Sequence, residues 1–351
     1  TQHLENIPLS VTDSSGRAVW LASSSASSGY NVYYLINTST KIVYNSAGTA
    51  LGTFKSVTTP TSSTSPGTLT YTVTSGKTTT TYTVSGMYAD TWWLARNFGL
   101  IRGSPSSIEL RIDAETTAAR NLVTFAQNTV ATYNTTTHPV TYKMQFYQFS
   151  YGNPTALTST MTDVNSLTTA TVPDLGLNSP LLYTFNYWTS ASTQTNDADS
   201  DFAKMFTTMN TTIPAPGDGS TPSTPQEVMF IVTDGMVDQA VSGYSCQSSG
   251  RACTQLLASH LTQCTTIKNR GIRIAVLYTE YLASTIQGFG LSFANTIATS
   301  AVPNIEAQLQ SCASTNPDGT LLYYKVSADE DISSALTQLF SMAVQTAYLA
   351  R

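Results

Sequence analysis

The stretch VMFIVTDG, Val228 to Gly235, constrains this chain more than any other. The apolar run from Val228 to Val232 suits a strand covered on both faces, as in parallel sheets clothed by helices. The run leads straight into Thr-Asp-Gly, which puts Asp234 at the carboxyl end of the strand, where open α/β sheets bind ligands. Asp234 is therefore a candidate for holding a cation, and Gly235 lets the chain turn sharply. An ordinary strand-end turn is the plainer account of the same residues. A second apolar strand, GIRIAVLY from Gly271 to Tyr278, follows after a helix-length segment. Together they make a βαβ unit.

The same alternation extends through the chain after Gly86. Ile112, Ala118, Ala119, Leu122, Val123 and Ala126 recur at helical spacing within residues 108–130. Thr141 to Gly152 reads as a strand. The acidic cluster DADSD precedes SDFAKMFTTMNTTI, which is good chemistry for a helix start. Ala215 to Pro225 is a loop rich in Gly, Ser and Pro. A helix around 254–268, a strand at 321–327 and a last helix over 329–348 complete the pattern. The expectation is an α/β domain over residues 87–351, with a doubly wound, mostly parallel sheet built from strands near 141–149, 228–233, 272–278 and 321–327.

Residues 1–86 carry a different signal. NVYYLI, KIVYN, LTYTVT and TTTYTVS are rich in Tyr, Val, Thr and Ile, with Gly, Ser and Pro between them. A hairpin is expected around Ser75-Gly76, within a small sandwich or an extended β-ribbon. Threonine-rich edges of this kind can pair with another chain.

Only 11% of the 351 residues are charged, against roughly 25% in an average soluble domain. Hydroxyl-rich, weakly charged surfaces with 19 Tyr suit an exported or surface protein. The net charge of −5 argues against a nucleic-acid footprint, which is normally basic. All four Cys lie between residues 246 and 312. Cys246 and Cys253 flank a short polar loop that a disulfide could close, leaving Cys264 to pair with Cys312. Zinc is the competing account, but the spacing contains no C-x₂-C pair. No segment reaches the ~18 apolar residues of a membrane helix. Because the chain starts with Thr, it is expected to be a processed or truncated product, with any export signal upstream. His3, His138 and His260 read as surface or loop residues, and no hydrolase, zincin or P-loop motif accompanies them. An enzyme is not expected.

Several segments together resemble a known family. YADTWWLARNFG, LRIDAETTAARNLV, YKMQFYQFSYG, IPAPGDGSTPSTPQEVMFIVTDGMVD, CTTIKNRGIRIAVLYTEYL, LQSCAS and ISSALTQLFSMAVQTAYLAR are similar to the von Willebrand factor A-like domain of TadG-type proteins of the tight-adherence (Tad/Flp) pilus system. The resemblance covers about three quarters of the chain and leaves residues 1–86 as an insertion or separate domain. It implies adhesion or pilus assembly, with other pilus or envelope proteins as partners and a place in the cell envelope or outside it. A self-assembling subunit of a filament or surface layer is the other role considered.

The resemblance also implies a divalent-cation site, with Mg²⁺ as the fitting ion. Asp234 matches the family's third metal-binding loop, and Ser200 matches the second. The first loop has two possible sources. Asp13 and Ser15 supply part of the D-x-S-x-S pattern, with Arg17 at the place of the second Ser. Otherwise the motif precedes Thr1 and the β-rich segment is inserted after it.

Overall fold

Val, Tyr and Thr in alternation build the first unit, and continuous apolar strands build the second. The computed structural model describes residues 11–23, 32–58, 66–89, 93–94, 97–103, 107, 109, 111–136, 139–149, 152–173, 200–237, 255–282, 299, 301–327 and 330–349. One unit runs to Arg111 and the other begins at Ile112.

The first unit is a closed antiparallel barrel in the order β1-β2-β3-β4-β5-β6. Its strands are β1 (Ala18–Ala22), β2 (Tyr33–Asn37), β3 (Ile42–Asn45), β4 (Ala50–Thr58), β5 (Gly67–Ser75) and β6 (Thr78–Tyr88). The expected sandwich or ribbon is thus corrected to a barrel. Closure comes from β1 meeting β6, with Trp20 opposite Tyr88 and Ala22 opposite Gly86. At Gly86 a Cβ would lie 1.9 Å from the Leu21 carbonyl oxygen, so only glycine lets these strands close. Trp20, Ile36, Val43, Leu69 and Tyr71 form one buried cluster. Val19, Leu21, Leu35, Met87, Ala89, Trp93 and Ile101 form a second, which draws in the short helix α1 (Phe98–Arg102). This packing carries the unit past the expected boundary at residues 86 and 87.

The hairpin expected around Ser75-Gly76 is present as β5 and β6, joined through Gly76 and Lys77. Gly76 has φ +61°, whereas Lys77 is not among the positive-φ residues. Glycine at the first central position is the type II′ pattern, whose twist suits a tight hairpin.

In the second unit, β11 (Val228–Thr233), β12 (Arg273–Thr279) and β13 (Tyr323–Val326) pair in parallel, in that order. The helices are α2 (Arg111–Tyr133), α3 (Phe202–Thr212), α4 (Ala258–Asn269), α5 (Val302–Cys312) and α6 (Ile332–Leu349). Met229, Ile231, Ile274, Val276 and Tyr278 pack on one face against α3, α4 and α5. Ala275, Leu277, Leu322 and Val326 pack on the other against α2 and α6. Both crossovers, through α4 and α5, thus run over the same face. Cys264 on α4 is bonded to Cys312 at the end of α5, which ties these neighbouring helices together. Cys246 and Cys253 lie outside the described residues.

The strand expected at 141–149 is a correction. It breaks into β7 (Lys143–Met144) and β8 (Tyr147–Gln148), which pair with β10 (Thr162–Asp163) and β9 (Thr155–Ala156) respectively. The described parallel sheet therefore has three strands rather than four. Tyr142 and Met144 pack on the α2/α6 side, while Tyr147 and Phe149 pack on the α3/α4 side. Side chains of even and odd number on opposite sides are the alternation of one extended strand covered on both faces, so the break lies in the backbone pairing, which turns to β10 and β9.

Candidate functional site

Of the polar residues that the sequence singled out, Asp234 stands at the carboxyl end of a parallel strand, and each is held locally. After β11, the Gly235 N–H donates to Thr233 Oγ1 at 3.0 Å and the Met236 N–H to Asp234 Oδ1 at 3.0 Å. Gly235 has φ +70°, and a Cβ there would meet Ile305 at 2.3 Å. Only glycine lets this turn lie against α5. Asp234 is therefore fixed as the cap of its own turn.

Ser200 precedes α3 with φ +61°, and its carbonyl accepts from the Phe202 N–H. Asp201 is the helix cap, with Oδ1 accepting from the Lys204 N–H at 3.0 Å. The DADSD segment thus works as helix-start chemistry where it is described, and Asp199 lies outside the described residues. No hydrogen bond joins Ser200 to Asp234 among the described residues.

Asp13 and Ser15 belong to the barrel unit. The Val19 N–H donates to the Val11 carbonyl, and the Asp13 N–H to the Arg17 carbonyl. Residues 11–19 are thus a tight antiparallel turn entering the barrel. Asp13 is buried. Its Oδ1 accepts from the Ser15 and Arg17 N–H groups, and its Oδ2 pairs with the Arg17 guanidinium. Arg17, the residue that departs from the family pattern, consumes the carboxylate.

The fit to Mg²⁺ follows from these donors. That ion asks for about six oxygens in octahedral array. Asp234 offers a carboxylate already bonded to a backbone N–H, Ser200 offers one hydroxyl, and Asp13 is neutralised. Among the described residues no group of three or more His, Cys, Asp or Glu side chains is placed to hold a metal. Of the described residues, Asp234 and Ser200 are those that would give oxygens to such a site, with water completing the shell.

Charge at this end of the sheet is organised around Lys325 instead. Its Nζ lies 2.9 Å from Glu306 Oε2 and 3.3 Å from Glu280 Oε1. The Glu306 bond is the main reason the Lys325 ammonium is held above its ordinary pKa. Burial, then the charge of Glu306, pushes the Tyr323 phenol well up. Tyr278 is raised by burial, with smaller contributions from the charges of Glu280, Asp234 and Glu306. Both phenols therefore stay neutral at physiological pH. One ammonium set between two carboxylates leaves this cluster with a net negative charge.

His260 is a correction of another kind. It is fully buried at the start of α4, where Nδ1 accepts from the Leu257 N–H at 3.0 Å. Burial pushes its pKa down, partly offset by Asp201. Its place three residues after Leu257, at a helix start, was the available signal. His3 and His138 lie outside the described residues.

The chain matches no known protein family and no curated protein. Among solved structures it is similar to the pilus adhesin SpaC from Lactobacillus rhamnosus GG, with 14% identity and a TM-score of 0.36, over 68% of this chain and 28% of that one. The open conformation of SpaC gives 15% identity and a TM-score of 0.35, over the same shares. The chain therefore spans less than a third of that adhesin, and so distant a likeness carries no argument about function.

Proposed function

We propose that this chain is a non-enzymatic protein of the cell envelope or cell exterior, serving adhesion or pilus assembly. On this reading its second unit is a von Willebrand A-like domain of the TadG type, and its partners are other pilus or envelope proteins. The observation that carries the reading is a disulfide, Cys264–Cys312, in a chain that joins an α/β unit to a threonine-rich barrel with few charges. Disulfides persist in oxidising compartments, and a surface so poor in charge suits exported contact proteins. The quoted sequence segments supply the link to tight-adherence pili. Among the described residues no helix is long and apolar enough to cross a membrane.

The test is deletion of the gene in its own host, scored by piliation and surface attachment, with complementation by the full chain. Loss and rescue of either supports the proposal. Normal piliation and attachment in the deletion strain would sink it. The second role, a subunit that polymerises into a filament or layer, draws on the threonine-rich strands of the barrel. Light scattering on the purified chain separates the two, since regular large polymers belong only to the subunit.

A further inference from the structure

β6 presents a strand edge. The hairpin register runs without interruption from Ser75 opposite Thr78 to Gly67 opposite Gly86. A two-residue turn makes the pair next to it hydrogen-bonded, and antiparallel pairs then alternate. The backbone groups of Thr78, Thr80, Tyr82 and Val84 thus face β5. Those of Thr79, Thr81, Thr83 and Ser85 face the opposite way. The same parity brings the Ala89 N–H to the Val19 carbonyl, on the side where β1 lies. β1 covers β6 only from Gly86 to Tyr88. Among the described residues no strand pairs with the outward groups from Thr79 to Ser85.

The far edge of the same ribbon is treated differently. β4 shifts register between Phe54 and Ser56, carries Lys55, and has its Phe54 N–H bonded to the Lys41 carbonyl. Bulges and lysines are devices that blunt a sheet edge. β6 has no such shift, and TTTTYTVSGMY contains no charge and no proline.

We propose that this edge joins two copies of the chain, β6 against β6, antiparallel about a two-fold axis at Tyr82. This goes beyond the proposed role in adhesion and holds whichever surface the protein serves. In that register Thr79 pairs with Ser85 of the second copy, and Thr81 with Thr83. These are the residues whose backbones face outward, so the ladder bonds form. Tyr82 meets its own copy at a non-hydrogen-bonded site, where side chains come closest, with Cα atoms ~4.5 Å apart. The aromatic row explains the choice of axis. Tyr34 lies 6.5 Å from Tyr71, which stacks on Tyr82 at 5.4 Å. That row ends at the edge in Tyr82, which is 45% exposed. Self-pairing continues the row across the axis.

A second copy is the occupant that the chemistry favours. Self-pairing sets hydroxyl against hydroxyl and ring against ring, and no like charges meet. Cross-strand threonine contacts already occur in this sheet, at 2.8 Å for Thr58 with Thr68 and 3.1 Å for Thr74 with Thr79. A charged strand from elsewhere would find no countercharge along β6. The two-fold contact is also self-limiting, giving a dimer rather than a fibre.

Sedimentation equilibrium of the full chain over a wide concentration range tests this. The expected result is a reversible monomer–dimer equilibrium. Thr81→Pro removes an outward N–H while leaving the β5 ladder intact, and should raise the dissociation constant at least tenfold. Thr83→Lys, which adds like charges near the axis, should do the same, with circular dichroism checking that both variants fold. Under mild oxidation Tyr82→Cys should give a cross-linked dimer and Thr80→Cys should not. A chain that stays monomeric, or that forms open polymers, overturns the proposal. So does a dimer that neither edge variant weakens, or cross-linking through residue 80 rather than 82. Loss of the dimer with attachment intact leaves the adhesion role standing.

Discussion

The two units place their apolar residues in opposite ways. β12 is buried along nearly its whole length, because helices cover both faces of its sheet. β6 exposes every residue from Thr78 to Thr83, and only its last turns of alternation help to close the barrel. The α/β unit therefore takes its stability from long-range burial. The barrel takes more of its stability from neighbouring antiparallel pairs, and keeps a polar surface free for contact. On the proposed reading, stability and recognition fall to different stretches of one chain.

The sharpest way to break this comparison is to cut into each region alike. Leu277→Ala in β12 should cost about 2–5 kcal/mol, since Leu277 is fully buried and its loss leaves a cavity. Thr80→Ala in β6 should change stability by less than about 0.5 kcal/mol, as an exposed substitution does. Urea unfolding of the two variants measures both. Comparable effects would show that the difference in burial does not govern stability.

Replacing both Cys264 and Cys312 by Ala should destabilise the α/β unit by about 2–4 kcal/mol, because the bond closes a sequence separation of 48 residues. The barrel amides should keep their hydrogen-exchange protection. Equal loss of protection in both units would mean that they unfold together.

Gly86→Ala probes the barrel by the same reasoning. The added Cβ meets backbone at Leu21 and the Trp20 indole at 2.6 Å. Overpacking of this kind costs about 1–3 kcal/mol. Exchange should rise first in β1 and β6 while β12 stays protected. A barrel as stable as before would show that the closure at Ala22 and Gly86 is dispensable.

How much of this could be read from the residues differed between the units in the same way. The continuous apolar runs at 228–232 and 274–278 identify strands covered on both faces, and the structure pairs them in parallel. The hairpin at Ser75-Gly76 was legible because turn chemistry is local. Barrel closure was not, because the pairing of Trp20 with Tyr88 has no local marker. The 141–149 segment was misassigned because its side chains alternate as in a strand covered on both faces, while the partners that its backbone takes, β10 and β9, lie downstream and leave no mark in the segment itself. At the candidate site, Asp234 was placed correctly at the end of β11. The fate of Asp13 depended on Arg17 turning back onto it, which the D-x-S pattern conceals. His260 was misread because its burial comes from packing against Phe202, 6.4 Å away, and not from its helix.

A smaller effect concerns pH. The His260 pKa is lowered in the folded state, so between its folded value and the ordinary ~6.5 the unfolded chain binds more protons. Its contribution is therefore fully present above pH ~6.5 and is lost as pH falls through the folded pKa. The α/β unit should lose stability between pH 7.5 and 5, and His260→Gln should flatten that slope. Thermal unfolding at stepped pH measures it, and an unchanged slope would assign the dependence to other groups. The barrel, with no His among its described residues, should be insensitive over this range.

The smallest expected effect is that of a cation. A ligand bound only to the folded state raises stability by about 2.7 kcal/mol at a hundred times its dissociation constant. Asp234 and Ser200 would leave most of a Mg²⁺ shell to water, and Asp13 is held by Arg17 in the barrel. Millimolar Mg²⁺ or EDTA should thus leave the melting temperature of either unit unchanged. Asp234→Asn should act through its turn alone, since the amide oxygen can still accept the Met236 N–H. A Mg²⁺-dependent rise in melting temperature that Asp234→Asn abolishes would reverse this conclusion. It would mean that the strand end recruits donors beyond Ser200, and that this end of the α/β unit binds a ligand as the barrel edge is proposed to bind a second copy.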